Sequence, residues 1–284
     1  MKNWSAYKKL TVVHLLFLFV MGIFAGCYAI LGLLDDVSTN IKLLHFNNIL
    51  MGTALSFLTI YFFRKHTKKS VLVVGWHLNV RDRYFILVIF IITMLILGLF
   101  TLYLHQNQTR IIDIQIEKLN RLDYYFLLLL ALIGWMMAAV KEEVLSRGYV
   151  LFSLSHGNIM WMILLSAFIF MAIHVPTNGF DVFKMSSWFM GGVAYAYVYI
   201  KSGSLLVATI IHMIHNFMND WVLGNNAAFA IVELSQKVPQ DDKLMYEIVL
   251  KVIIIIIASV FYGKNGLITP ASNLIAAWSK NDKD

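Results

Sequence analysis

Charge is scarce in this 284-residue chain: 14% of its residues are charged and 60% are hydrophobic. A soluble globular protein averages about 25% charged and about 45–50% apolar, so a soluble fold is excluded. Cysteine is almost missing. Cys27 stands alone, which rules out an intramolecular disulfide. It follows Phe24-Ala25-Gly26, which partly resembles a lipoprotein cleavage box, yet the apolar run continues through Tyr28-Ala29-Ile30-Leu31. Residues 10–34 therefore read as a retained helix rather than a cleaved signal, with Cys27 expected as a buried structural residue. There are three prolines, and the absence of a solenoid period or low-complexity tract excludes a repeat array. The net charge of +7 has no basic-aromatic cluster behind it, so no nucleic-acid partner is expected.

What is present is a series of long apolar runs. A spanning helix needs about 20 predominantly apolar residues. Residues 10–34, 44–63, 84–104, 124–153, 158–174, 184–201, 205–221 and 245–262 meet or approach that length. The fold class is an all-α polytopic transmembrane bundle of about eight helices around a polar intramembrane cavity. Residues 1–284 form a single integral-membrane domain. With eight spans, Lys2, Lys8, Lys9, Arg64, Lys65, Lys68, Lys69, Arg81, Arg83, Lys201, Lys264, Lys280 and Lys283 fall on one side. The tendency of Lys and Arg to stay in cytoplasmic loops puts both termini in the cytoplasm. The segment GWHLNVRDR, 75–83, is either part of that loop or an interfacial amphipathic helix.

Against this apolar background the stretch KEEVLSRGY, 141–149, stands out, because ionisable groups at membrane depth are expensive and mark functional sites. Glu143 and Arg147 are four residues apart, in the favourable order for a pair along one helix face. Glu142 is rotated by about 100° from Glu143 and is left for another partner. If the chain turns at Ser155-His156-Gly157-Asn158, Glu142 and His174 differ in depth by about 4–5 Å at 1.5 Å per residue. A second turn at Ser202-Gly203-Ser204 puts His212 and Asn216 at roughly 13 and 20 Å from the same side. These four can meet at one level. His215 lies about 60° round the wheel from His212, towards a flank. Phe170 shares a face with His174 and either walls the site or simply packs. Phe189, Gly192 and Ala196 form a stripe read as helix packing.

A carboxylate beside an imidazole in a water-poor cavity can activate water as a general base. A second His and an Asn amide can donate hydrogen bonds to a tetrahedral oxyanion. No Ser or Cys has an obvious base partner, since Ser146 lies on another face from Glu142, and the H-E-x-x-H zinc signature is absent. Water attack on an amide is the simplest reaction these groups support.

The stretches EEVLSRGY, FMAIH and FMGG…SGSLLVATIIHMIHN resemble, in order, the EExxxR, FxxxH and HxxxN motifs of the CPBP intramembrane proteases. That family includes the type II CaaX prenyl endopeptidases and the bacterial Abi or bacteriocin-processing proteins. The resemblance covers residues 125–220 as a catalytic core, with flanking helices in 1–123 and 222–284. It implies that Glu142, assisted by His174, activates water, that His212 and Asn216 form the oxyanion site, and that Glu143 and Arg147 support it. Ala196 departs from the Gly of many members. The expected reaction needs no cofactor; the alternative is a divalent metal such as zinc on Glu142, His174 and His212. Expected partners are the lipid bilayer and a hydrophobic or lipidated peptide substrate. The Lys-, Ile- and Asn-rich composition with the family context points to a bacterial cell membrane. Rival readings are a non-catalytic immunity or partner protein and a transporter.

Overall fold

The computed structural model describes residues 5–33, 36, 40–106, 111–155, 157–224, 226, 228–234, 236–263 and 266–279. Lys2, His156, Lys264, Lys280 and Lys283 lie outside them. Long helices form over the eight apolar runs. They are α1 (Ala6–Ile30), α2 (Ile41–Thr67), α3 (Val80–Gln106), α4 (Leu122–Glu143), α5 (Ile159–Ala172), α6 (Val182–Ser202), α7 (Leu205–Leu223) and α8 (Gln240–Tyr262). A short α9 (Ser272–Ser279) follows.

Polar residues at the ends explain where several of these helices begin. The carboxamide oxygens of Asn40 and Asn158 accept backbone N–H groups of α2 and α5, and the Asp181 carboxylate and Ser204 hydroxyl do so for α6 and α7. At the start of α3, Asn79 and Asp82 each accept the other's backbone N–H at 2.9 Å, a reciprocal cap. That cap corrects one expectation. Residues 75–83 are no separate interfacial helix: 76–79 are non-helical, and the chain enters α3 directly at Val80.

Among the described residues, six stretches are long and apolar enough to cross a membrane: α1, α2, α3, Leu122–Leu151, Ile159–Asn178 and α8. The chain is a multi-pass, all-α membrane protein. Helices α6 and α7 fall short of that apolarity because they carry the polar groups of the interior. They can carry them because they are innermost, α6 being buried almost continuously from Gly191 to Ser202.

Close helix contacts rest on glycine. A methyl group at Gly52 would lie 2.6 Å from the Met137 carbonyl oxygen, and one at Gly134 would lie 2.7 Å from His45 Nδ1, so α2 and α4 meet nearly backbone to backbone. At Gly192 the added carbon would sit 2.6 Å from Ala167 Cα on α5. Gly192→Ala should therefore destabilise the bundle by about 1–3 kcal/mol. Gly191→Ala meets nothing closer than 3.5 Å and should be tolerated. Unfolding midpoints of the two variants in mixed detergent–SDS micelles check this; equal midpoints would reject it.

The turn at Gly203, the 68–79 loop and α9 gather at one end of the bundle. Ser204 Oγ donates to the Gly75 and His77 carbonyls at 3.0 and 2.6 Å, Asn273 Nδ2 to Gly203 O at 2.8 Å, and Lys201 Nζ to Gly266 O at 2.6 Å. The opposite end holds a feature the sequence reading did not contain, a two-stranded antiparallel ribbon, β1 (Ile111–Ile114) with β2 (Val232–Leu234). A four-residue strand paired with one about 120 residues away leaves no periodic signal to read. Cys27 is also a correction: it is exposed, not buried. Helix α1 packs through Leu10, Val13, Phe17 and Met21, and Cys27 lies beyond that stripe.

Candidate active site

Helix α4 does not end at Glu143. It continues as a π-helical segment, Val144–Leu151, so the two carboxylates sit at the junction of two helical pitches. Such segments disturb the normal hydrogen-bond ladder and cluster at functional sites. One carbonyl here finds a partner elsewhere: Ser166 Oγ on α5 donates to Ser146 O at 2.8 Å. Residues 144–151 are all buried, and Arg147 is fully so.

The two glutamates receive different surroundings. Glu143 Oε1 accepts from Arg147 Nη1 at 3.0 Å and lies 2.9 Å from His212 Nδ1. The second Arg147 arm donates to Gly192 O at 2.7 Å, and the guanidinium lies over the Phe170 ring, 4.6 Å from its centroid. Arg147 thereby ties α4, α5 and α6 together. Glu142 turns towards the cavity instead. Its Oε2 lies 3.5 Å from His174 Nε2 and 3.8 Å from His212 Nε2, and its Oε1 lies 3.7 Å from Lys141 Nζ.

Both imidazoles are held by the nitrogen that does not face Glu142. His174 Nδ1 donates to Phe170 O at 2.7 Å, and His212 Nδ1 donates to Glu143. The acceptors are a carbonyl and a carboxylate, so Nδ1 carries the proton in each ring and Nε2 points at the Glu142 carboxylate. Aromatic rings fix the planes. Trp188 stacks on His174 with centroids 4.9 Å apart at 20°, and Tyr195 stacks on His212 at 4.5 Å and 18°. Phe170 meets both imidazoles, at 4.9 and 5.5 Å, and Tyr195 at 6.2 Å.

These groups line a cavity of about 890 Å³, shared by Lys141, Glu142, His174, His212 and Asn216. Asn216 stands one turn beyond His212 on α7, as their spacing requires. Among the described residues, no three His, Cys, Asp or Glu side chains are grouped as a metal ion would need.

Residues 124–218 match the sequence model of the family described as type II CAAX prenyl endopeptidase, Rce1-like. The match covers about a third of the chain, and over that stretch the chain is similar to that family. No curated protein and no solved structure matches the chain. The family match begins within α4 and ends within α7, so it takes in the π segment and every residue named above, and it stops before α8.

Sequence reasoning missed three participants. Tyr195 and Trp188 face the two imidazoles, and neither is distinguishable by type from the many aromatics of an apolar chain. Glu143 was given only Arg147 as partner, whereas it also holds His212. The third miss is His215, set aside as a flank residue. Its Nδ1 lies 3.0 Å from Tyr195 Oη and its Nε2 lies 2.8 Å from Glu247 Oε2 on α8.

Proposed function

We propose that the protein is an intramembrane endopeptidase in which Glu142 activates water against a peptide carbonyl. The observation that supports this best is the sharing of Glu142 Oε2 between two imidazole Nε2 atoms at 3.5 and 3.8 Å. These separations are too long for good direct hydrogen bonds and suit a bridging water. Glu142 takes a proton from that water as its oxygen bonds to the carbonyl carbon, and His174 orients the water. The carbonyl electrons move to the oxygen, which accepts hydrogen bonds from the Asn216 amide and from His212 Nε2 of an imidazolium. The Glu143 carboxylate stabilises that imidazolium through Nδ1. Collapse breaks the C–N bond, and the proton held by Glu142 passes to the leaving amine. The products are a carboxylic acid and a free amine, and no covalent enzyme intermediate forms.

Residues 125–220 carry this machinery, and 1–123 and 222–284 supply flanking helices. The substrate is a membrane-associated hydrophobic or lipidated peptide. The side bearing Arg64, Lys65, Lys68, Lys69, Arg81, Arg83 and Lys201 is the cytoplasmic one, with both termini there. A comparison of cell peptidomes between wild type and Glu142→Ala tests the function. Peptides that appear only with the wild type are expected. Identical peptidomes with an intact, Glu142-dependent phenotype would favour a transporter, and a phenotype untouched by Glu142→Ala and His174→Ala would favour a non-catalytic partner.

A divalent-metal version of the same hydrolysis would use Glu142, His174 and His212 as ligands. Full activity in a sample verified free of metal is expected; activity lost on chelation and restored by Zn²⁺ would replace the metal-free mechanism.

A further inference from the structure

Helix α8 lies outside the matched family region, yet it brings two charged side chains into the polar interior. Glu247 and Lys251 are 5% and 1% exposed and pair with each other one turn apart. Lys251 Nζ also lies 2.6 Å from His215 Nε2, and Asn219 Nδ2 donates to Glu247 Oε1 at 3.0 Å. Tyr246 Oη donates to Asn219 Oδ1 at 2.5 Å, which adds a third α8 side chain to the group. A buried ion pair is weak evidence for stability, because well-packed apolar residues of the same volume often do as well or better. Its position offers a different role.

We propose that Glu247 is a positioning residue for His212, acting through His215 and Tyr195. The route is short. Glu247 and Lys251 hold the His215 ring, whose Nδ1 meets the Tyr195 hydroxyl at 3.0 Å. Anchored at that hydroxyl, the Tyr195 ring lies flat on His212, with centroids 4.5 Å apart and planes within 18°. The bond from His212 Nδ1 to Glu143 fixes one point of the imidazole and leaves rotation about it. Tyr195 on the face and Phe170 at the edge remove that rotation, and with it the freedom of Nε2 to swing away from Glu142. The precision of the oxyanion donor is thus set from a helix that supplies no group to the reaction.

The consequence for turnover rests on the endopeptidase reading; the consequence for the His212 ring does not, and the experiment separates them. Tyr195→Phe, Glu247→Gln and the double variant are compared with wild type in detergent micelles, with ¹³C-labelled histidine. The His212 ring resonance, assigned by its loss in His212→Gln, should move in both single variants and no further in the double variant, since both cut one route. Turnover of a peptide found in the peptidome comparison should fall roughly tenfold, with KM within about twofold, as displacement of a positioned group predicts. An unmoved His212 resonance in both single variants overturns the proposal, as do additive shifts. A shifted resonance in a protein whose wild type cleaves nothing keeps the positioning and removes the protease. Tyr195→Phe deletes one oxygen and keeps the stacked ring, so it decides the matter if Glu247→Gln does not fold.

Discussion

Glu142→Gln should lower proteolysis by roughly 10²–10⁴-fold, the range for loss of a positioned general base, with KM little changed. Glutamine keeps the size and reach of the side chain but cannot take the proton of an attacking water. The fold should survive the change. Glu142 meets His174, His212 and Lys141 across a cavity wall, at 3.5–3.8 Å, and none of these contacts ties two helices as tightly as the Arg147 contacts do. The variant therefore separates chemistry from structure. Its elution and unfolding midpoint in detergent should match wild type while product formation disappears. A Glu142→Gln protein that retains half of the wild-type rate would remove Glu142 from the role of base. The neighbouring Lys141→Met change should be milder, because Lys141 faces Oε1 and leaves the Oε2 side, shared by the two imidazoles, unchanged.

The juxtaposition of Glu142 and His174 could be read from the chain because it depends on counting alone. A helical hairpin with a turn near residue 157 equates positions on either side, and the rise per residue converts that into a depth. The Glu143–Arg147 pair was legible for the same reason, as a local spacing. The eight long helices followed from composition. What stayed hidden depends on direction and not on depth. A straight α-helix through 144–151 gives the wrong facing for residues beyond Glu143, and no residue type in VLSRGYVL announces a π segment. His215 sits on the flank that helical geometry assigns to it; that geometry does not say that Glu247 and Lys251 wait there. Those two belong to an apolar helix about 30 residues further along, and their meeting with His215 is a matter of helix order in the bundle. Cys27 failed for a related reason. In a lipid solvent an apolar residue gains little by facing inward, so hydrophobicity no longer predicts burial.

Arg147→Met should have the second large effect, on stability more than on binding. Arg147 is fully buried, and its two arms and its flat face each meet a different helix: Glu143 on its own, Gly192 O on α6, and the Phe170 ring on α5. Methionine fills much of the volume but returns none of these bonds. Removing one partner of a buried ion pair costs about 3–5 kcal/mol, because the other charge is left uncompensated. Here the charge left behind is Glu143, whose remaining ionic partner is His212. The loss therefore reaches His212, the donor proposed for the oxyanion, which is left alone on a carboxylate that it had shared with Arg147. Adding Glu143→Gln to Arg147→Met removes the stranded charge and should recover part of the stability. Activity should not return with it, since a glutamine beside His212 Nδ1 cannot stabilise the imidazolium. Unfolding in mixed micelles and peptide turnover, measured on the same three proteins, check both halves. A double variant no more stable than Arg147→Met would show that the Gly192 and Phe170 contacts carry the loss. One that regains turnover would show that His212 acts without the Glu143 charge.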